Sequence, residues 1–316
     1  MALPRSPFAT APQPPGTGEI LLGLLPPDRQ SLKTINFQYP LKLIAPDPHR
    51  SADEKHVTIV FLLTYGGGLV GGDRIQLKVE LEDHARLVLL TQGSTKIFKS
   101  PTRASITGQV LDIKIGSGAA LCYLPDPTQP FAESVYEQKQ TFYVDDSGKS
   151  NLLMLDWVSE GRKARGESWS LWGWKGRNEV RAFDEKSKGR LLLRDAVTLT
   201  DGTLGGVGLT HKTNDLGIFG TLIIYGPLFA NLGKFFMESF KSQPRIGAKD
   251  FTDDGKPDHK HKDNGLLWTA ANIRGFVLVK FGAADLDVAR QWLGNLLKLE
   301  GTVERHFGHQ ALLCLR

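Results

Sequence analysis

The sequence predicts a mainly β fold with two helices near the C-terminus, and three observations indicate it. Short apolar segments are separated by turn residues about every ten positions along most of the chain. Residues 75–81 alternate between apolar and polar side chains, which is the period of a strand with one buried face. Apolar residues at helical spacing occur in residues 227–243 and 285–299. Periodicity alone does not distinguish a solenoid from a sandwich or a barrel.

The composition is that of a soluble globular protein, with 41% hydrophobic and 23% charged residues among 316. No apolar run is long enough to span a bilayer, and the N-terminus lacks the apolar core of a secretory signal, so we expect a cytoplasmic protein with no membrane partner. Cys122 and Cys314 lie far apart and are expected to be reduced thiols. The net charge is +5, but the basic residues are scattered, so we expect no nucleic-acid partner.

The proline-rich segment 1–18 is predicted to be a mobile tail, because its prolines exclude regular hydrogen-bonded structure. Residues 19–316 are predicted to form one β domain. Within it, about residues 244–265 are charged and poor in aliphatic side chains, which predicts an exposed insertion. His259 and His261 alternate with lysines there, and that positive charge opposes nickel binding.

A glycine-rich segment, residues 66–72, precedes Asp73 and lies between two predicted strands. Its glycines match the G-x-G-x-x-G spacing of dinucleotide-binding folds, but that motif requires a helix where the alternating strand 75–81 follows. A Walker loop is excluded as well, because Asp73 and Arg74 stand where a lysine and a hydroxyl residue are needed. We therefore expect a loop between strands that leaves one carboxylate open to close approach, or a loop needed only for its backbone angles.

Three other segments give local predictions. Residues 110–115 and 119–124 are separated by a Gly-Ser-Gly turn, which predicts a hairpin. Asp126 lies between two prolines that hold the backbone extended, an arrangement that fixes a carboxylate but also commonly ends a strand. Asp285 is predicted to cap the last long helix and Gly301 to end it.

Residues 156–174 combine carboxylates and arginines around glycines, followed by three tryptophans. Arginines keep nearby carboxylates ionised, the state that binds a divalent cation through oxygen. The alternative is a structural loop held by ion pairs. Trp169, Trp172 and Trp174 suit either a stacking platform or core packing.

Four blocks occur in order along the chain: GGGLVGGD, TQGSTKIFKS, LPDPTQPFAES and DWVSEGRKARGE. Their order and spacing resemble the UreD family of urease accessory proteins, called UreH in some bacteria. The resemblance runs from about residue 32 to about residue 297. A series of blocks is far more specific than any single glycine motif.

The resemblance implies a β-helical solenoid of stacked sheets with two helices near the C-terminus. It also implies a nonenzymatic scaffold that binds urease apoprotein and the helical accessory protein UreF, which in turn recruits the GTPase UreG. Nickel would pass in transit through a water-filled passage toward the urease active site, with no cofactor held tightly. Such transfer requires oxygen ligands of moderate affinity, because tight binding would stall it.

Carried over by motif, the passage residues are Asp73, Thr95 and Glu167, with Asp126 and Glu160 as further candidates. The C-terminal sequence HFGHQALLCLR departs from the family pattern, which usually ends in a segment containing Pro-Arg.

Two other classes of function stay open at this point. A β-helical carbohydrate-active enzyme would use paired carboxylates, for which Asp156 with Glu160 or Glu167 are the candidates. A binding module without enzymatic activity would use the tryptophans. His306 and His309 are candidate nickel ligands, although an exposed pair or a pair at the edge of the core is the simpler interpretation.

Overall fold

The structure is a computed structural model, and it describes residues 13–26, 28–183, 189–201, 208–243 and 265–316. The strands of the described residues are β1 Thr17–Leu25, β2 Arg29–Phe37, β3 Leu41–Ile44, β4 His49–Arg50, β5 His56–Thr64, β6 Gly68–Leu69, β7 Arg74–Leu81, β8 Arg86–Leu90, β9 Thr95–Ile97, β10 Thr107–Ile115, β11 Ala120–Tyr123, β12 Thr128–Pro130, β13 Val135–Asp145, β14 Asn151–Ser159, β15 Gly173–Phe183, β16 Arg190–Thr200, β17 Ile218–Tyr225, β18 Leu266–Ile273 and β19 Phe276–Ala283. The helices are α1 Leu209–Lys212, α2 Ala230–Lys241, α3 Leu286–Glu300 and α4 Thr302–Phe307, with 3₁₀ turns at 65–67, 163–165, 227–229 and 309–315.

The strands form two stacked sheets. The seven-stranded sheet has the order β16-β15-β13-β10-β7-β1-β2. Its five central strands, β15, β13, β10, β7 and β1, are parallel to one another. The twelve-stranded sheet has the main order β18-β19-β17-β14-β11-β8-β5-β3, with four short strands beside it. Between β7 and β15 the chain moves back and forth between the two sheets, so successive strands of one sheet pair in parallel.

Two apolar cores follow from this layering. One fills the space between the sheets and includes Leu77 and Leu121. The other lies between the twelve-stranded sheet and the helical layer, where Phe236 of α2 and Leu293 of α3 are fully buried. The broad apolar stripe of the helix after Pro227 is therefore covered within this chain.

The caps of α3 agree with the sequence. The Asp285 carboxylate accepts a hydrogen bond from the Val288 amide at 2.9 Å, which satisfies one amide of the first turn. Gly301 ends the helix with a left-handed φ of 85°, which glycine adopts without steric cost. Both predictions at the ends of this helix are confirmed.

The mainly β class is confirmed, and α2 and α3 are the two predicted long helices. The β-helical solenoid stays a prediction. The predicted hairpin is wrong, because β10 belongs to the seven-stranded sheet and β11 to the twelve-stranded sheet. The Gly-Ser-Gly turn passes the chain from one sheet to the other and is held by Asp83, whose carboxylate accepts from the Ser117 amide at 2.8 Å.

Two predicted segments fall largely outside the described residues. Of the predicted tail 1–18, residues 1–12 lie outside them, and β1 already begins at Thr17. Of the predicted insertion 244–265, residues 244–264 lie outside them. Among the described residues, every helix is too short or too polar to cross a bilayer.

Candidate functional site

A small polar cavity lies inside the domain, near the end of β14. Its volume of about 10 Å³ is close to the room that one water molecule needs. The cavity is lined by Leu62, Thr91, Thr95, Gln109, Tyr123, Pro125, Asp126, Thr128, Gln138, Asp156 and Trp157. Most of these side chains carry a polar group, whereas the rest of the space between the sheets is filled mainly by aliphatic side chains.

Asp156, one of the two carboxylates of this cavity, is half-buried. It accepts hydrogen bonds from the Gln138 amide at 2.8 Å and the Asn178 amide at 2.7 Å, and Gln140 in turn donates to the Asn178 oxygen at 3.1 Å. Burial raises the pKa of Asp156, and the two amide donors oppose that change only in part. Asp156 therefore holds a proton more readily than an exposed carboxyl, and a nearby cation would favour its ionised form.

Asp126, the second carboxylate of the cavity, is buried and is tied to two other parts of the chain. One of its oxygens accepts from the Thr91 hydroxyl at 3.1 Å and the Gly93 amide at 2.8 Å. The other accepts from the Arg290 guanidinium of α3 at 2.6 Å. The Cys314 thiol donates to the Thr91 carbonyl at 3.3 Å, and burial raises the pKa of that thiol to about 12, so it stays protonated. The C-terminal segment thus contacts Thr91, which itself donates to the carboxylate.

Asp73 ends the glycine loop, which joins β5 to β7 through β6 as the sequence predicted. Its carboxylate accepts from the Val70 amide at 2.9 Å, and its carbonyl accepts from the Gly108 amide at 2.8 Å. Gly72 has a φ of 94°, a conformation that requires glycine. Asp73 is half-buried, holds the loop closed and is not among the side chains that line the cavity.

Glu160 and Glu167 lie in the loop between β14 and β15, and both carry cationic partners. Arg162 binds both oxygens of Glu167, and its hydrogen bond lowers the pKa of that carboxyl. The Glu160 carboxylate accepts from the Ser168 hydroxyl at 2.6 Å and lies 3.1 Å from the Lys163 ammonium. These contacts match the alternative interpretation from the sequence, a structural loop held by ion pairs. Neither carboxylate lines the cavity.

The other candidates from the sequence lie apart from the cavity or inside the core. Trp169 and Trp174 are 4% and 2% exposed, so they pack in the core and do not form a stacking platform. His306 Nδ1 lies 2.8 Å from an oxygen of Asp53, which fixes that imidazole, whereas His309 is exposed. Among the described residues, no three or more His, Cys, Asp or Glu side chains converge as a metal-ion site.

The family model described as "UreD urease accessory protein" matches residues 17–314. The chain belongs to the UreD family. This UreD chain is 31% identical over 277 residues to "Uncharacterized urease accessory protein ureD-like" of Schizosaccharomyces pombe, covering 87% of this chain and 90% of the relative. It is 28% identical to "Urease accessory protein 4" of Cryptococcus neoformans var. grubii, with 83% and 84% covered. It is 32% identical to "Urease accessory protein D" of Arabidopsis thaliana, with 65% and 66% covered. Membership supports a role in urease maturation.

Three of the four UreD-like sequence blocks meet at the cavity. TQGSTKIFKS contributes Thr91 and Thr95, LPDPTQPFAES contributes Asp126, and DWVSEGRKARGE contributes Asp156. The fourth block, GGGLVGGD, contains β6, which pairs in parallel with β9 of the second block. Blocks that are separated along the sequence are therefore neighbours in the fold, because successive passes of the chain place their strands side by side in the twelve-stranded sheet.

The predicted passage residues of the UreD chain thus fall into two groups. Thr95 and Asp126 share the cavity, whereas Asp73, Glu160 and Glu167 do not line it. Sequence reasoning did not include Gln138 and Asp156 among the passage residues. A signal for the glutamine exists, because Gln138 follows the apolar Tyr136 at strand spacing and so points to the same buried face.

Proposed function

We propose that this UreD chain is a nonenzymatic scaffold that passes nickel toward the active site of apo-urease. The observation that carries the proposal is the convergence of three family sequence blocks on one polar cavity between the sheets. Asp126 and Asp156 offer the oxygen atoms that a hard or borderline divalent cation accepts as ligands. Thr95 adds a hydroxyl from β9 on the same wall.

The contacts of the cavity suit a cation in transit. Buried carboxylates cost free energy unless they are hydrogen-bonded, and both of these are fully engaged by donors. A nickel ion must compete with Arg290 for Asp126 and with two amides for Asp156. That competition keeps the affinity moderate, so the ion is released to the next site and not retained.

Asp73, Glu160 and Glu167 remain part of the proposal as carboxylates of the route outside the cavity. Each has an existing partner that a cation would displace: the Val70 amide, Lys163 and Arg162 respectively. The proposed partners are urease apoprotein and a UreF-like protein that recruits a UreG-like GTPase. The back-and-forth parallel path from β7 to β15 supports a β-helical description of the scaffold.

Asp126→Asn tests the route, because it keeps the shape of the side chain and removes its charge. We expect a normal yield of the complex with apo-urease and the UreF-like partner, and less nickel per active site in the recovered urease. Thr95→Val removes one oxygen without touching the Arg290 ion pair and should lower nickel in the same direction. Asp53→Asn is the matched control, since Asp53 is also paired with an arginine but lies away from the cavity.

The outcomes separate a route from a structural role. If Asp126→Asn lowers both the yield of the complex and the nickel content of the recovered urease, the carboxylate holds the fold and the site assignment fails. Normal nickel loading in both cavity variants would place the route elsewhere. Failure of the wild-type chain to associate with either partner would overturn the scaffold proposal itself.

A further inference from the structure

None of the described helices packs on the outer face of the seven-stranded sheet, which we call the open face, although the sheet is largely parallel. Helices α2 and α3 pack on the twelve-stranded sheet instead. Predominantly parallel sheets normally have both faces covered. Here β7 alternates strictly between buried and exposed side chains, and its outward positions include Gln76 and Lys78. This open face therefore offers an ordered surface to another molecule.

Three arginines on this face share one buried carboxylate. Glu179 points outward from β15, yet its side chain is only 3% exposed because arginine side chains cover it. Arg181 and Arg194 donate to its two oxygens at 2.8 and 2.9 Å, and Arg177 approaches to 3.8 Å. Burial acts to raise the pKa of Glu179, but the hydrogen bonds and charge of Arg181 and Arg194 outweigh it and lower the pKa. One negative charge thus anchors three positive ones.

A groove of about 500 Å³ runs beside this cluster. Its four cations occupy two neighbouring rows across the strands: Arg74 and Lys175 share one row, and Lys139 and Arg177 are direct partners in the next. The carboxylate lining the groove is Glu137, which is paired with Lys175 at 2.9 Å. We call this feature the basic groove, defined by Arg74, Lys139, Lys175 and Arg177.

The floor of the basic groove is made of small side chains. Gly108 lies in the row of Arg74, and Val110 and Ala196 lie in the row of Lys139 and Arg177. A cleft of about 680 Å³ continues from Lys139 along the sheet. Small floor residues allow a polypeptide backbone to approach closely. The two rows are two residues apart along the strands, about 6.7 Å, which is also the spacing of alternate side chains along an extended peptide.

We propose that the basic groove docks an extended, acidic segment of a partner protein. Carboxylates of such a segment would meet Arg74 and Lys139, and would compete with Glu137 for Lys175 and with Glu179 for Arg177. A nucleic acid fits less well, because none of the described residues lining the groove is aromatic and Glu137 repels phosphates. The proposal is independent of the nickel route, which lies on the inner side of the sheet.

The test measures binding of a labelled decaglutamate peptide to the full chain by fluorescence anisotropy. The groove variant carries Arg74→Glu, Lys139→Glu and Arg177→Glu, all at exposed positions. We expect its affinity to fall by about tenfold or more, because three attractive contacts become repulsive. Binding by the unchanged chain should weaken steeply with added salt. A decaglutamine peptide should not bind.

The matched control carries Lys149→Glu, Lys212→Glu and Lys298→Glu, three exposed lysines outside the groove. Both variants have the same formal net charge, so the control should retain most of the affinity if binding is local. Equal losses in the two variants would mean attraction to overall charge and would overturn the proposal. If oligothymidylate binds the unchanged chain as tightly as decaglutamate does, and loses as much affinity in the groove variant, the groove is a nucleic-acid site and the proposal is overturned. If the groove variant does not fold, Lys139→Gln with Arg177→Gln is compared with Lys149→Gln and Lys212→Gln, which change the net charge by the same amount.

Discussion

The outer faces of the two sheets differ, and the difference follows from the side chains of their strands. Strand β14 of the twelve-stranded sheet reads NLLMLDWVS and is buried on both faces, apart from partly exposed Asp156. Strand β7 of the seven-stranded sheet reads RIQLKVEL and is buried only at alternate positions. A continuous apolar run needs cover on both sides, whereas an alternating strand leaves one face for water or a partner. The helical layer is accordingly found on the twelve-stranded sheet.

The largest expected effect concerns the covered face. Phe236→Ala removes a fully buried ring that packs edge-on against Trp268, with ring centroids 6.3 Å apart. We expect it to lower the free energy of unfolding by about 3 to 5 kcal/mol, since the cavity cannot close completely. Urea denaturation followed by circular dichroism measures the change.

Val110→Ala is the corresponding truncation on the open face. Val110 is half-buried on the outward side of β10, so its loss should cost less than about 1 kcal/mol. Similar losses for Val110→Ala and Phe236→Ala would show that the open face contributes as much packing as the covered one, and the contrast between the sheets would fail.

Periodicity could predict which strands are covered, but not how the sheets connect. The alternation in residues 75–81 correctly predicted a strand after the glycines, and Asp285 with Gly301 correctly predicted the ends of α3. The hairpin over residues 110–124 was wrong because a glycine turn looks the same in sequence whether it reverses the chain within a sheet or passes it to another. The contacts of the turn with the preceding pass, such as the hydrogen bond from the Ser117 amide to Asp83, distinguish the two.

The site was predictable to the extent that motifs determine it. The sequence blocks selected Thr95 and Asp126, which share the cavity. Asp156 was considered in a possible cation-binding segment and in a catalytic pair but not as a passage residue, because its hydrogen bonds come from Gln138 and Asn178 of the facing sheet. Such contacts between residues far apart in sequence depend on the register of the strands, which a single sequence does not define.

An intermediate loss of stability is expected where the helical layer is hydrogen-bonded to the twelve-stranded sheet. Arg86 of β8 binds Asp53 through two hydrogen bonds of 2.8 Å and also donates to the His306 carbonyl in α4 at 3.1 Å. The Arg86 and Asp53 side chains are 14% and 25% exposed. Asp53→Asn should cost about 2 kcal/mol at neutral pH, less than a fully buried pair because water still reaches the carboxylate.

The pH dependence of that variant follows from the Asp53 pKa. Burial acts to raise the pKa, but hydrogen bonds from Arg86, Ser51 and His306 outweigh it and hold the pKa well below its usual range. A depressed native pKa adds stability that is fully present above the unfolded value, about pH 4, and is lost as the pH falls toward the native value. The gap between the unchanged chain and Asp53→Asn should therefore narrow below about pH 4. A constant gap down to strongly acidic pH would contradict this account.

The smallest effect should come from an ion pair on the open face. Lys175 and Glu137 lie 2.9 Å apart in adjacent strands, and their side chains are 58% and 44% exposed. Water and salt screen such a pair, and ordering two long side chains offsets much of the attraction. A double-mutant cycle with Lys175→Ala and Glu137→Ala should give a coupling below about 0.5 kcal/mol, smaller still at high salt. A coupling as large as the cost of Asp53→Asn would mean that the open face is not solvated like an ordinary surface. That result would contradict the difference proposed between the two sheets. It would also weaken the docking proposal, because solvation of the open face leaves the basic groove available to a partner.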